Sequence, residues 1–93
     1  MNIAEEASGI VTGARRQSYG TPLDNHSRTG EFWTTFVKTA MKKGYLSPED
    51  VCYMNILQKV ARTMENDKRD NGTDIVGYAL NVEIIKQQKG EVW

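Results

Sequence analysis

Residues 15 to 28 read Arg-Arg-Gln-Ser-Tyr-Gly-Thr-Pro-Leu-Asp-Asn-His-Ser-Arg, an unusual density of specific chemistry for a connecting segment. Arg15, Arg16 and Arg28 supply guanidinium groups, whose forked N–H donors suit phosphate and carboxylate better than an ammonium does. Tyr19 adds a flat face for a base, and Asn25 can read a base edge or a ribose. Together with the Tyr-Gly-x-Pro turn, this set suits capture of an anionic, nucleotide-type small molecule. The plainer alternative is that the arginines pair with Asp24 and Glu31 and the turn is only tight. His26 has no cysteine partner and no recognisable Ser–His–Asp spacing, so it is expected near a helix start and no catalytic residue is assigned.

Lys59 and Arg62 lie three residues apart in a helical pattern and share roughly one face, where burial is costly unless an anion meets them. A solvated edge is the competing reading. Asp70 and Asp74 are four apart; they suit either Mg²⁺, a hard cation that takes oxygen ligands, or helix capping and pairing with Lys59, Arg62 or Arg69. Capping or pairing is the favoured reading of the two. Trp33 is a second candidate stacking surface.

These residues need elements to position them. Ile3, Ala7, Ile10, Val11 and Ala14 fall at helical spacing, which predicts a first helix. Phe32, Trp33, Phe36, Val37, Ala40 and Met41 predict a second, stopped by Lys42-Lys43-Gly44. Ser47-Pro48-Glu49-Asp50 is an N-cap, a proline at N1 and acids in the first turn, launching a third helix to about Met64. Its stripe is Val51, Met54, Leu57, Ala61 and Met64, widened by Tyr53, Ile56 and Val60. A polar loop over 66–72 precedes a fourth helix from about Thr73 to Gln88, with Ile75, Val76, Ala79, Leu80, Val82, Ile84 and Ile85 available for burial. The expectation is an all-α, compact, single-domain bundle of about four helices over residues 1–93, with loop 15–28 structured and residues 89–93 as a tail.

The 93 residues carry 12 basic and 12 acidic side chains, a formal net charge of zero. That argues against duplex nucleic acid, whose binders need a positive excess to neutralise phosphates. A chain this short buries only roughly 60–65% of its unfolded surface, so a homo-oligomer is expected. One cysteine, Cys52, excludes an intrachain disulfide and a cysteine-rich metal site. The start MNIAEEASGI lacks the basic and apolar regions of a signal peptide, and no long apolar run suggests a membrane span. A cytoplasmic protein is expected.

The blocks Arg15/Arg16-x-x-Tyr19-Gly20-x-Pro22-x-x-Asn25-x-x-Arg28-Thr29, Trp33, Leu46-Ser47-Pro48-Glu49-Asp50-Val51, Lys59-Val60-Ala61-Arg62 and Asp70-x-x-x-Asp74-Ile75-x-Gly77-Tyr78-Ala79 resemble a family of short, uncharacterised phage and prophage proteins over about residues 5 to 85. The resemblance implies a phage accessory protein acting in the cytoplasm of an infected bacterium, and it carries no activity. A looser similarity is to the MazG-type all-α nucleotide pyrophosphohydrolases, which hold magnesium with Glu-Glu-x-x-Glu and Glu-x-x-Asp blocks. Here Gly9 stands where the third glutamate belongs, and the aspartates are spaced i, i+4.

The function expected is therefore nucleotide binding without turnover and without a cofactor, with sequestration of a signalling nucleotide of host antiviral defence as its purpose. Arg15, Arg16, Tyr19, Asn25, Arg28, Trp33, Lys59 and Arg62 are its ligand-binding residues. One alternative is an Mg²⁺-dependent pyrophosphohydrolase using Glu5, Glu6, Asp70 and Asp74. The other is a protein that inhibits a host factor through Trp33, Tyr45 and Trp93.

Overall fold

The computed structural model describes residues 2–12 and 20–92, with side chains from 2–10 and 20–92. Among these the chain is all-α: α1 (Ile3–Thr12), α2 (Pro22–Ala40) with a 3-10 turn (Met41–Lys43), α3 (Pro48–Thr63) and α4 (Arg69–Gln88). Asn2 opens α1 by accepting from the Glu5 amide at 2.9 Å. Every described side chain of α1 is exposed.

The start of α2 corrects the expected loop. Thr21 is the N-cap, its hydroxyl accepting from the Asp24 amide, and Pro22 fills the first turn, where its missing N–H costs nothing. Residues 22–28 are therefore helical. Their polarity hid the helix, because Leu23, Asp24, His26 and Ser27 all face solvent and leave no apolar periodicity. At the far end Gly44 adopts φ +90, the left-handed conformation that glycine takes without a Cβ clash, and closes the 3-10 turn through its amide to the Met41 carbonyl.

α3 begins as expected, with a complete capping box: Ser47 accepts from the Asp50 amide and the Asp50 carboxylate accepts from the Ser47 amide. α4 begins at Arg69, ahead of the expected Thr73. Its first turn is polar on the outside, while Asn71 turns inward, 1% exposed, and donates to the Asn66 carbonyl at 3.2 Å.

Helix α3 lies between the other two. Towards α2, the Trp33 indole N–H donates to the Met54 carbonyl at 2.7 Å and Phe36 meets Tyr53 with ring centroids 6.5 Å apart. Towards α4, Glu49 in the first turn of α3 takes Lys89 at 2.9 Å and Lys86 at 3.6 Å. Glu91 bridges the same two lysines. The hydrogen bond from Lys89, then the helix-start amide, hold the Glu49 carboxyl below its usual range, and Glu49 in turn raises Lys89.

Among the described residues few apolar side chains are buried: Cys52, Ala61 and Val82. Phe32, Phe36, Leu57, Val60, Ile75 and Ile85 are half-buried. Two residues of the expected α3 core stripe, Val51 and Met64, are instead exposed, as are Val76, Leu80 and Ile84 on α4. The three helices form an open layer, so a residue pointing away from a neighbour has nothing in this chain to meet. Burial raises the Cys52 thiol above its ordinary value, with the Glu49 charge adding to the effect.

Candidate functional site

Arg15, Arg16 and Tyr19 lie outside the described residues, as does Trp93. Of the other candidates, Asn25, Arg28 and Trp33 lie on α2 and Lys59 and Arg62 in the C-terminal half of α3. Arg28 reaches Glu65, just past α3, with Nη2 to Oε2 at 3.3 Å. The contact is ionic, without the alignment of a hydrogen bond, and Arg28 Nε and Nη2 are shielded from solvent with no hydrogen-bond partner. One turn earlier on α2 the Asn25 Oδ1 is shielded and unpartnered in the same way. Gly20, at φ +79, lies over Glu65: a Cβ there would come within 3.1 Å of the Glu65 carboxyl carbon. The turn thus delivers the chain onto the Arg28–Glu65 pair.

Further back along α3, Lys59 and Arg62 are well covered, Lys59 with a 13% exposed side chain and Arg62 at 8%. The solvated-edge reading of this pair therefore fails. Lys59 meets Asp74 of α4 at 3.0 Å, the pairing weighed above as the alternative to metal binding. Asp70 sits exposed in the first turn of α4, where the helix dipole favours a carboxylate. Lys59 and Arg62 are about one turn apart on α3 and Glu65 follows just past its end; Lys59 reaches Asp74 of α4, while Glu65 meets Arg28 of α2.

His26 is exposed near the start of α2, where Nδ1 donates to the Pro22 carbonyl at 2.7 Å, a helix-start position as expected. Trp33 is tied to α3 and borders an apolar groove of about 550 Å³ with Gly30, Thr34, Val37, Met41 and Met54. Among the described residues no three His, Cys, Asp or Glu side chains come together to hold a metal, so Glu5, Glu6, Asp70 and Asp74 do not form the cage a pyrophosphohydrolase needs. Glu65 was not singled out from the sequence; its partner Arg28 is far away along the chain, and no local spacing announces it.

A family profile described as a domain of unknown function, DUF6378, matches residues 2–85. The chain belongs to the DUF6378 family. It is similar to the Gene 55 protein of Mycobacterium phage L5, at 42% identity over 98% of this chain and 56% of the relative. It is also similar to the Gene 55 protein of Mycobacterium phage D29, at 32% identity over 97% of this chain and 57% of that relative. The chain thus spans little more than half the length of these relatives. No solved structure matches. The phage resemblance read from the sequence blocks is supported at the level of family. No described helix is long and apolar enough to cross a membrane.

Proposed function

We propose that this DUF6378 protein binds a nucleotide through its phosphates, along the line of Arg28, Arg62 and Lys59, and releases it unchanged. The observation that carries this reading is a pair of shielded atoms on one face of α2 that make no hydrogen bond, Asn25 Oδ1 and Arg28 Nε, beside the ionic contact of Arg28 Nη2 with Glu65. Each such group left unmatched costs about 1–3 kcal/mol, a cost that a bound ligand would recover. Glu65 and Asp74 act as carboxylate stand-ins at Arg28 and Lys59, and both are partly exposed and free to swing out. Arg15, Arg16 and Tyr19 belong to the proposal as further phosphate and base contacts; the groove beside Trp33 offers an apolar wall for a base. Sequestration of a host signalling nucleotide extends the reading from the phage origin of the relatives.

The test is thermal melting against mononucleotides, cyclic dinucleotides and ADP-ribose derivatives, with and without Mg²⁺, each mixture then being chromatographed. The expected result is a metal-independent rise in melting temperature with the compound recovered intact and the rise abolished by Arg28→Ala. A ligand at 100 times its Kd adds about 2.7 kcal/mol. Metal-dependent breakdown, or no rise with any compound, overturns the reading.

A further inference from the structure

The opening of α2 uses up its own donors. The Asn25 amide donates to the Thr21 carbonyl at 3.0 Å, and the Asp24 amide is taken by the Thr21 hydroxyl. The Thr29 hydroxyl donates to the Asn25 main-chain carbonyl at 3.0 Å, and the His26 ring turns to the Pro22 carbonyl. Pro22 has no N–H to give. Asn25 Oδ1, shielded from solvent, is left as an acceptor that no donor among the described residues meets.

One turn further on, Arg28 shows the opposite chemistry. Its Nε is a shielded donor without an acceptor, and its Nη2 has the ionic contact with Glu65. Side chains at i and i+3 of a helix stand about 5–6 Å apart at Cβ, so one molecule can meet both. A phosphate satisfies only the arginine. Its oxygens accept from a guanidinium, but at neutral pH it is largely deprotonated and has little to donate to an amide oxygen, which only accepts. Asn25 Oδ1 therefore calls for a donor held close beside the phosphate.

In a nucleotide that donor is a sugar hydroxyl, which sits on the sugar that carries the phosphate, whereas the N–H groups of the base project beyond it. We propose that Asn25 Oδ1 accepts a hydrogen bond from a ribose hydroxyl of a nucleotide whose phosphate lies on Arg28; this rests on the nucleotide reading above. Asn25 is then a reader of the sugar and indifferent to the base. The phosphate enters by displacing Glu65, whose side chain is 41% exposed, and that opening lies one helical turn from Asn25. A site with a shielded group aimed at a hydroxyl discriminates strongly against the analogue that lacks it, because the group is then left unmatched.

Isothermal titration of the full chain with AMP, GMP and cyclic di-AMP, each beside its 2′-deoxy form, and with the 3′-deoxy forms of AMP and GMP, tests the contact. In the unsubstituted protein, loss of one of the two hydroxyls is expected to weaken binding roughly 5- to 150-fold, the worth of matching a shielded acceptor. AMP and GMP are expected to show the same dependence. Asn25→Leu, close in size and without an acceptor, is expected to abolish the difference at a melting temperature no lower than that of the unsubstituted protein. Arg28→Ala is expected to lose ribose and deoxy forms alike. Equal binding of the ribose form and both deoxy forms overturns the sugar contact and leaves phosphate capture at Arg28 standing. A difference that persists in Asn25→Leu overturns it as well. Binding of no compound, or binding indifferent to Arg28→Ala, overturns the nucleotide reading and the sugar contact together. If Asn25→Leu fails to fold, the comparison on the unsubstituted protein decides.

Discussion

Replacing Glu65 by Gln tests the idea that its carboxylate holds the place of a phosphate. Glu65 Oε2 lies 3.3 Å from Arg28 Nη2, with side chains 41% and 25% exposed. Pairs this open to water contribute about 0.2–1 kcal/mol, so Glu65→Gln should lower stability by no more than that, a few degrees in melting temperature. A phosphate arriving at Arg28 must displace the same carboxylate. Removing its charge returns the pairing energy to the ligand, and affinity should rise about 1.5- to 5-fold at 1.4 kcal/mol per decade. Isothermal titration with the compound giving the largest melting shift, at low and at high salt, measures this directly. The gain should shrink as salt screens both the pair and the phosphate. Weaker binding by Glu65→Gln than by the unsubstituted protein would refute the reasoning, because Glu65 would then be part of the site and no competitor for it. Unchanged binding by Arg28→Ala would refute it as well.

Three further outcomes are expected from the fold. Asn71→Ala removes the donor to the Asn66 carbonyl from a site 1% exposed, costing about 1–3 kcal/mol, readable in urea unfolding. Ser47→Ala dismantles the α3 capping box and should cost about 1 kcal/mol by the same assay. The carboxyls of Glu49 and Asp50 are held low in the folded state, by Lys89 and Lys43 respectively. The unfolded chain therefore binds more protons in acid: this stabilisation is present above pH 4.5 and is lost as pH falls through the lowered folded values. Melting temperature should fall along that limb, and Lys89→Met should flatten it.

What the sequence disclosed was local, and what it concealed depended on distant neighbours. Ser47, Pro48, Asp50 and Gly44 act within one turn of the backbone, so their residue types suffice to place the boundaries around α3. Thr21 and Pro22 carry an equally local cap, yet α2 was expected only from Phe32, because its opening turns show solvent-facing residues where periodicity would look for apolar ones. Periodicity names the residues able to be buried and says nothing of how many neighbours there are. Val76, Leu80 and Ile84 satisfy it and remain bare. At the site, the attraction of Lys59 for Asp74 followed from charge and was among the readings weighed. The link of Arg28 to Glu65 and the lysines on Glu49 join residues far apart in the chain, and only the fold reveals them.

The ion cluster on Glu49 also bears on how this protein can be dissected. The DUF6378 profile match stops at residue 85, while similarity to the phage Gene 55 proteins covers 97–98% of the chain. Lys86, Lys89 and Glu91, which fasten the end of α4 to the beginning of α3, all come later. Cutting at residue 85 would leave Glu49 without its cations and the two antiparallel helices unlatched at that end. For this chain the border of the profile match and the border of the mechanical unit differ, and the mechanical one reaches at least to Glu91.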